Sequence, residues 1–314
     1  MNSFLFNLFI IMSKLIVLFD KHYDYTNCRY RRNLYKYLIN KGCKICHFGE
    51  LENNDFEKLF LNKFNRIPDF IFFGIMVDAL SDRIAYVNLL KKKYGTKIGV
   101  YIDDLHTHHN KIKKSIVLAD ILFLSYPYLV NKFYEINTKK QIFYLQHSPV
   151  KIGKFNNLTN QVICLSGSIN NFYPARQRLF SLKNKYNIFV LEFNKFTLDS
   201  YIDKLSEFLC CFACVTKENY IVRKIYEILA SGSLLFLYYG QTKDELEKLG
   251  FIDGIHYVGC DDNNFEDKIK WILNLYNLDK INEIRKNGYN LVSEKYNREI
   301  IADKIYNKIV NFKI

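Results

Sequence analysis

The chain alternates short runs of aliphatic and aromatic residues with longer stretches in which apolar positions recur every three or four residues. Six short runs occupy the first half: KLIVLFD (14–20), KICHFGE (44–50), DFIFFGI (69–75), KIGVYID (97–103), DILFLSY (120–126) and QIFYLQH (141–147). Their length and β-branched and aromatic content predict strands. Between them, RYRRNLYKYLINKG and DRIAYVNLLKKKYG carry helical periodicity and end on Gly42 and Gly95, as a helix closed by a left-handed residue does. Strand and helix in alternation predict βαβ units and a parallel sheet.

After His147-Ser148-Pro149 the polar, aperiodic VKIGKFNNLTN reads as an interdomain link. A second series of strands follows: QVICLSG (161–167), YNIFVLE (186–192), FLCCFAC (208–214), SLLFLYY (233–239) and HYVGCD (256–261). From Phe265 onward Ile269, Ile272, Leu273 and Tyr276 keep helical spacing. The expected architecture is α/β, with two facing Rossmann-like domains at 1–152 and 153–314, a helical C-terminal tail, and residues 1–11 as an extension. Such halves place a ligand crevice at the carboxyl ends of their strands, a layout suited to a two-substrate enzyme.

Composition supports this picture. A chain of 314 residues, 49% hydrophobic and 25% charged, is an ordered globular protein of two-domain size. Its net charge of +13 calls for an anionic partner. Lys, Asn, Ile, Tyr and Phe are abundant throughout, however, and no basic stripe interleaved with aromatics stands out, so a specific nucleic-acid partner is not expected. The eight cysteines include two CxxC pairs, Cys43/Cys46 and Cys211/Cys214, both inside strand-like apolar runs. They read as buried reduced thiols of a cytoplasmic protein rather than a zinc site. The opening MNSFLFNLFIIM lacks a basic leader and is too short to span a bilayer, which leaves a dispensable extension or a weak anchor for peripheral membrane contact.

The candidate chemistry centres on NYIVRKIYEILASGSLLFL, 219–237. Ile221, Ile225, Ile228 and Leu229 make one face of a helix, while Tyr220, Arg223, Glu227 and Ser231 line another. This helix follows a strand through the short loop TKEN, so its N-terminus lies where free N–H groups and the helix dipole favour a phosphate. Asn219 is the expected N-cap. Lys217, Arg223 and Lys224 supply charge for a diphosphate. Glu227, about 12 Å along the axis from Asn219, is placed to accept hydrogen bonds from a ribose. The competing reading is a solvated Arg–Glu pair in the poorer i, i+4 order. In the first half, Asp103, Asp104 and His106 lie just past the fourth strand as candidates for the general base on an acceptor hydroxyl. With His108 and His109 nearby, a metal site or a plain polar loop is the alternative there.

A resemblance gives these residues a context. Tyr226-Glu227-Ile228-Leu229-Ala230-Ser231-Gly232, running into a hydrophobic strand and a helical tail, resembles group-one-like glycosyltransferases of the spore-maturation-protein type. The segment LSGSINNFYPARQRLFSLK (165–183), with Gly167-Ser168 and Tyr173-Pro174-Ala175-Arg176, is similar to that family's opening strand, turn and Tyr-Pro-x-Arg segment. The resemblance spans about 161–310 and implies the GT-B fold. It also implies that Glu227 binds the ribose hydroxyls, Arg223 and Lys224 neutralise the diphosphate, and Gly167-Ser168 let the backbone approach the donor; with Arg176, Lys217, Asn219, Tyr220, Ser231 and Gly232 these make up the expected donor site. In many related transferases a second glutamate stands eight residues before the one matched by Glu227; here that position is Asn219.

The expectation is therefore a glycosyltransferase that moves a sugar from a nucleoside diphosphate sugar to a hydroxyl of a glycan, protein or small molecule. No metal or other cofactor is required, because basic side chains and a helix end offset the leaving-group charge. The alternatives are a fucosyltransferase-like enzyme using GDP-fucose, or a non-catalytic nucleotide-binding or structural protein that kept the fold.

Overall fold

The computed structural model describes residues 14–20, 29–74, 80–102, 109–126, 141–157, 159–192 and 195–312. The chain divides into two compact units, one formed by residues 1–146 with 302–314 and the other by residues 147–301.

The first unit contains β1 (Ile16–Asp20), α1 (Arg29–Asn40), β2 (Lys44–His47), α2 (Phe56–Phe64), β3 (Phe70–Gly74), α3 (Ile84–Tyr94), β4 (Lys97–Ile102), α4 (His109–Leu118), β5 (Ile121–Leu124) and β6 (Gln141–Tyr144). The strands form one parallel sheet in the order β2-β1-β3-β4-β5-β6. Every residue of β1, β3 and β5 is buried, as a parallel sheet covered on both faces requires. The Phe19 ring on β1 lies 4.9 Å from Phe48, 5.2 Å from Phe56 and 5.5 Å from Phe73, an aromatic core under α2. Residues 302–314, expected in the second domain, group with this unit. Lys14 Nζ donates to the carbonyls of Val310 and Phe312 at 2.6 and 2.8 Å, Lys41 pairs with Asp303, and the Phe312 ring packs on Phe70.

The second unit contains β7 (Asn160–Ser166), α5 (Pro174–Ser181), β8 (Ile188–Leu191), α6 (Leu198–Leu205), β9 (Phe208–Cys214), α7 (Arg223–Ser231), β10 (Leu234–Tyr238), α8 (Lys243–Lys248), β11 (Val258–Cys260), α9 (Phe265–Leu273) and α10 (Leu278–Lys295). A last helix, α11 (Arg298–Val310), begins here and ends in the first unit. The sheet is parallel, ordered β8-β7-β9-β10-β11. The chain runs outward from β7 to β8, then returns past β7 to β9. The loops leaving β7 and β9 therefore diverge and open a crevice at the carboxyl ends of those two strands. Cys43 and Cys46 in the first unit and Cys164, Cys210, Cys211, Cys214 and Cys260 in the second are buried free thiols. Burial pushes those of Cys43 and Cys46 up to about 12.

Helix α7 is the centre of the second unit, with every residue from Ile225 to Ser231 buried. Its end is closed by Gly232 in the left-handed conformation (φ 79°), where a Cβ would stand 2.9 Å from the Phe155 ring. The segment read as a loose link is strapped to this helix. Gly153 N–H donates to the Ala230 carbonyl at 2.8 Å, meeting one of the orphan carbonyls that every helix end leaves. Arg285 on α10, 1% exposed, donates to the carbonyls of Gly232 (2.8 Å) and Asn156 (2.6 Å) and to Asn282 Oδ1 (2.7 Å). Tyr289, one turn further, donates to the Gly153 carbonyl at 2.9 Å. Truncation by Arg285→Ala strands the buried Gly232 carbonyl, removes the donor to Asn156 and leaves a void, and is expected to lower stability by about 3 kcal/mol. An unchanged midpoint of urea unfolding would contradict the strap.

Candidate functional site

The crevice between β7 and β9 gathers its side chains from three helices. Strand β7 ends at Ser166, and Gly167 follows with φ 95°. A Cβ on Gly167 would lie 3.0 Å from Arg176 Nη1 and 3.3 Å from Lys224 Cε, so glycine is needed both for the turn and for the approach of two cations to the backbone. Arg176, buried on α5, donates from Nη1 to the Ser168 carbonyl at 3.2 Å, and its guanidinium stacks 3.8 Å from the Tyr173 ring centroid. Its Nε has no hydrogen-bond partner, nor has the buried Oγ1 of Thr216 just past β9.

From the other side comes α7. Lys224 Nζ donates to the Tyr201 hydroxyl on α6 at 2.5 Å and to Ser166 Oγ at 3.2 Å, while those two hydroxyls hydrogen-bond each other at 2.7 Å. The Tyr201 ring centroid is 4.8 Å from the ammonium. One residue earlier, Arg223 Nε donates to Glu227 Oε1 at 2.9 Å, and the Glu227 side chain is 5% exposed against 34% for Arg223. Three cations and one carboxylate thus share the region around the start of α7. Burial depresses the Lys224 ammonium to about 8; Glu227 opposes that shift, and Arg176 and Arg223 add to it. The Tyr201 hydroxyl is raised well above its ordinary range by burial and by the Glu227 carboxylate. His147, whose ring meets Tyr226 edge-on at 6.0 Å, is pushed down to about 3 by burial and by Arg223, which keeps it neutral.

The structure brings together Gly167, Ser168, Arg176, Arg223, Lys224 and Glu227. It places the other expected residues elsewhere. Asn219 is not the helix N-cap: that position is Val222, which offers no side-chain acceptor. Asn219 sits in the loop at φ 55°, a conformation asparagine tolerates better than most residues, and its Oδ1 accepts from Gln241 N–H at 3.3 Å. The helix therefore begins at Arg223, and Glu227 stands about 6 Å along the axis from it, within two turns of the N-terminus. Tyr220 is buried against Phe172, and the backbone of Lys217 is tied to the Phe172 carbonyl at 3.1 Å. Ser231 donates to the Ile228 carbonyl at 2.7 Å, and with Gly232 it lies at the opposite end of α7. Asp103, Asp104 and His106 follow β4 and lie outside the described residues. Among the described residues no group of three or more His, Cys, Asp or Glu side chains is arranged to hold a metal ion. Tyr201 and Ser166 were missed from sequence. Their hydroxyls meet Lys224 across long chain separations, and the only local trace is a tyrosine on the apolar face of a short helix.

No protein-family model and no curated protein matches the sequence. Among solved structures the chain is similar to Anabaena HepE (Alr3699), solved in complex with UDP-glucose, at 10% identity over 96% of this chain and 100% of that one, with a TM-score of 0.61. It is also similar to AviGT4, a glycosyltransferase involved in avilamycin A biosynthesis, at 10% identity over 96% and 99% of the two chains and a TM-score of 0.50. For TarM the values are 12% identity, 81% of this chain, 57% of that chain and a TM-score of 0.52. At such identities the likeness is one of fold. The chain has the α/β, two-Rossmann-unit fold with a helical C-terminal tail that the sequence pattern predicted, and it is of the GT-B type that the resemblance implied.

Proposed function

We propose that the chain is a glycosyltransferase whose donor is a nucleoside diphosphate sugar, bound in the second unit at the β7/β9 crevice. The observation that carries this reading is the convergence of Lys224 and Arg176 on the backbone of Gly167-Ser168 at the start of α7, with the Arg223–Glu227 pair beside them on the same helix. A diphosphate beside Gly167 meets the Lys224 ammonium and the N-terminus of α7, which offset the charge that grows on the leaving group as the sugar departs. Glu227, freed from Arg223 as that guanidinium turns to phosphate, accepts from the ribose hydroxyls. HepE was solved with UDP-glucose, so uridine diphosphate sugars are the first donors to try. The acceptor is assigned to the first unit, with Asp103, Asp104 or His106 taking the hydroxyl proton. No metal is assigned a role.

A second reading is favoured by one observation. Asn219 stands where related transferases carry a glutamate, and its side chain is spent on the turn at Gln241. A protein that binds the nucleotide without turning it over would look the same here. Hydrolysis or transfer of a bound donor separates the two.

Replacement of Glu227 by Ala is expected to weaken binding of UDP about 30- to 100-fold, the worth of a charged hydrogen-bond pair, with an unchanged far-UV CD spectrum. Calorimetry in which the variant's affinity for every nucleoside diphosphate is unchanged from wild type would overturn the assignment of α7. The Lys224 ammonium gives a second test. It is charged below about 8 and loses its proton above that, so diphosphate affinity should be level from about pH 6 to 7 and fall as pH rises through about 8. Tyr201→Phe removes an acceptor that favours the charged form, so in that variant the fall should begin at lower pH; a profile that stays in place would disprove the role given to the hydroxyl.

A further inference from the structure

The positive charge of this protein is not spread evenly. Residues 1–146 with 302–314 carry 25 Lys and Arg against 14 Asp and Glu, a net +11, whereas residues 147–301 carry 20 against 18, a net +2; together they make the chain's +13. The difference arises from five more Lys and Arg and four fewer Asp and Glu in the first unit. The excess also lies away from the unit in which the diphosphate crevice is found, so an anionic donor does not account for it. Within the first unit, α3 and α4, IAYVNLLKKKY and HNKIKKSIVL, together hold six lysines and no Asp or Glu.

These two helices are neighbours: Lys91 Nζ on α3 reaches the Leu118 carbonyl at the end of α4 at 2.8 Å and Asp120 at 2.9 Å. Lys91 is thereby neutralised, and Lys93 is paired with Glu57 at 3.0 Å. Lys92, Lys113 and Lys114 are exposed and make no ion pair with a described residue. The same outward surface carries apolar side chains. Leu89, three residues before Lys92, is 61% exposed; Val117, three and four residues after Lys114 and Lys113, is 70% exposed; and Tyr86 is 44% exposed. Val87, Leu90, Ile112 and Ile116 fill the inward faces, so Leu89 and Val117 are surplus to the core.

We propose that the outer face of α3 and α4 docks on an anionic lipid surface, with Leu89, Val117 and Tyr86 entering the headgroup region and Lys92, Lys113 and Lys114 meeting lipid phosphates. Lysines flanking aliphatic side chains are what an interfacial helix presents. A soluble polyanion such as nucleic acid satisfies the lysines but leaves Leu89 and Val117 in water, and the patch has no arginine for base or phosphate forks. No helix among the described residues is long and apolar enough to cross a membrane, so the contact is with the surface only. It concerns the other unit from the one that holds the crevice and stands independently of nucleotide binding.

The test uses the full chain in co-sedimentation with phosphatidylcholine vesicles, with and without phosphatidylglycerol. Binding is expected only to the anionic vesicles and should weaken as salt is raised. Combined K92Q, K113Q and K114Q should lower the partition coefficient on the order of 100-fold, and combined L89S and V117S about tenfold or more. All five positions are exposed, so both variants should keep the wild-type CD spectrum and melting temperature. The proposal is overturned by the absence of binding to anionic vesicles. It is equally overturned by binding that neither variant weakens, as when removal of residues 1–11 alone abolishes it. A lysine variant that loses vesicle and heparin binding together, while the Leu89/Val117 variant binds like wild type, identifies a soluble polyanion instead and overturns the lipid reading.

Discussion

The second unit is organised around a buried carboxylate. Glu227 lies in the buried part of its helix, Ile225–Ser231, and a lone charge there would cost several kcal/mol. Arg223 covers it from one turn back on the same helix. Lys224 adds a second positive charge, itself half-buried and in need of partners, and it finds them in Tyr201 and Ser166 on two other elements. That requirement fixes the spacing of α6, β7 and α7, and it brings Lys224 Cε against Gly167. The group is polar, largely dry and positive overall, in the crevice where a doubly wound sheet leaves room for a ligand. A purely structural ion pair would need only Arg223 and Glu227; the remaining cations are surplus to that purpose.

The position of the crevice follows from topology, and the topology from hydrophobic pattern. Parallel strands are covered on both faces, so each reads as an unbroken apolar run, and for that reason all eleven runs picked out in the sequence are strands in the structure. The helix ends at Gly95 and Gly232 were legible for a comparable reason, since a left-handed residue at the end of an apolar periodicity has few other uses. What the sequence could not show were features set by distant partners. Asn219 has the composition of an N-cap, yet its side chain answers to a turn at Gln241. The segment 150–160 lacks periodicity because it is neither helix nor strand, but its carbonyls are claimed by Arg285 and Tyr289 more than a hundred residues later. Tyr201 looks like any aromatic on a buried helix face, and only the fold reveals that its hydroxyl lies beside an ammonium.

The two units also divide the electrostatics. The second is close to neutral, and its crevice holds Arg176, Arg223 and Lys224 with Glu227, where low exposure makes each charge count. The first carries nearly all the net charge, and on α3 and α4 several lysines share one surface, where screening limits any single lysine and only a cluster has an effect.

Lys14, which precedes the first strand of the first unit, donates to the carbonyls of Val310 and Phe312, and Phe70 packs on Phe312. This closure has a consequence for biosynthesis. When the ribosome has finished β6 the sheet of the first unit is complete in sequence but lacks its last helix, and the whole second unit must be translated before that helix emerges. At roughly 5 to 20 residues per second the wait is about 10 to 30 s. The unit made first is thus finished last, with the ends of β1 and β3 uncovered during an interval in which the second unit is free to fold.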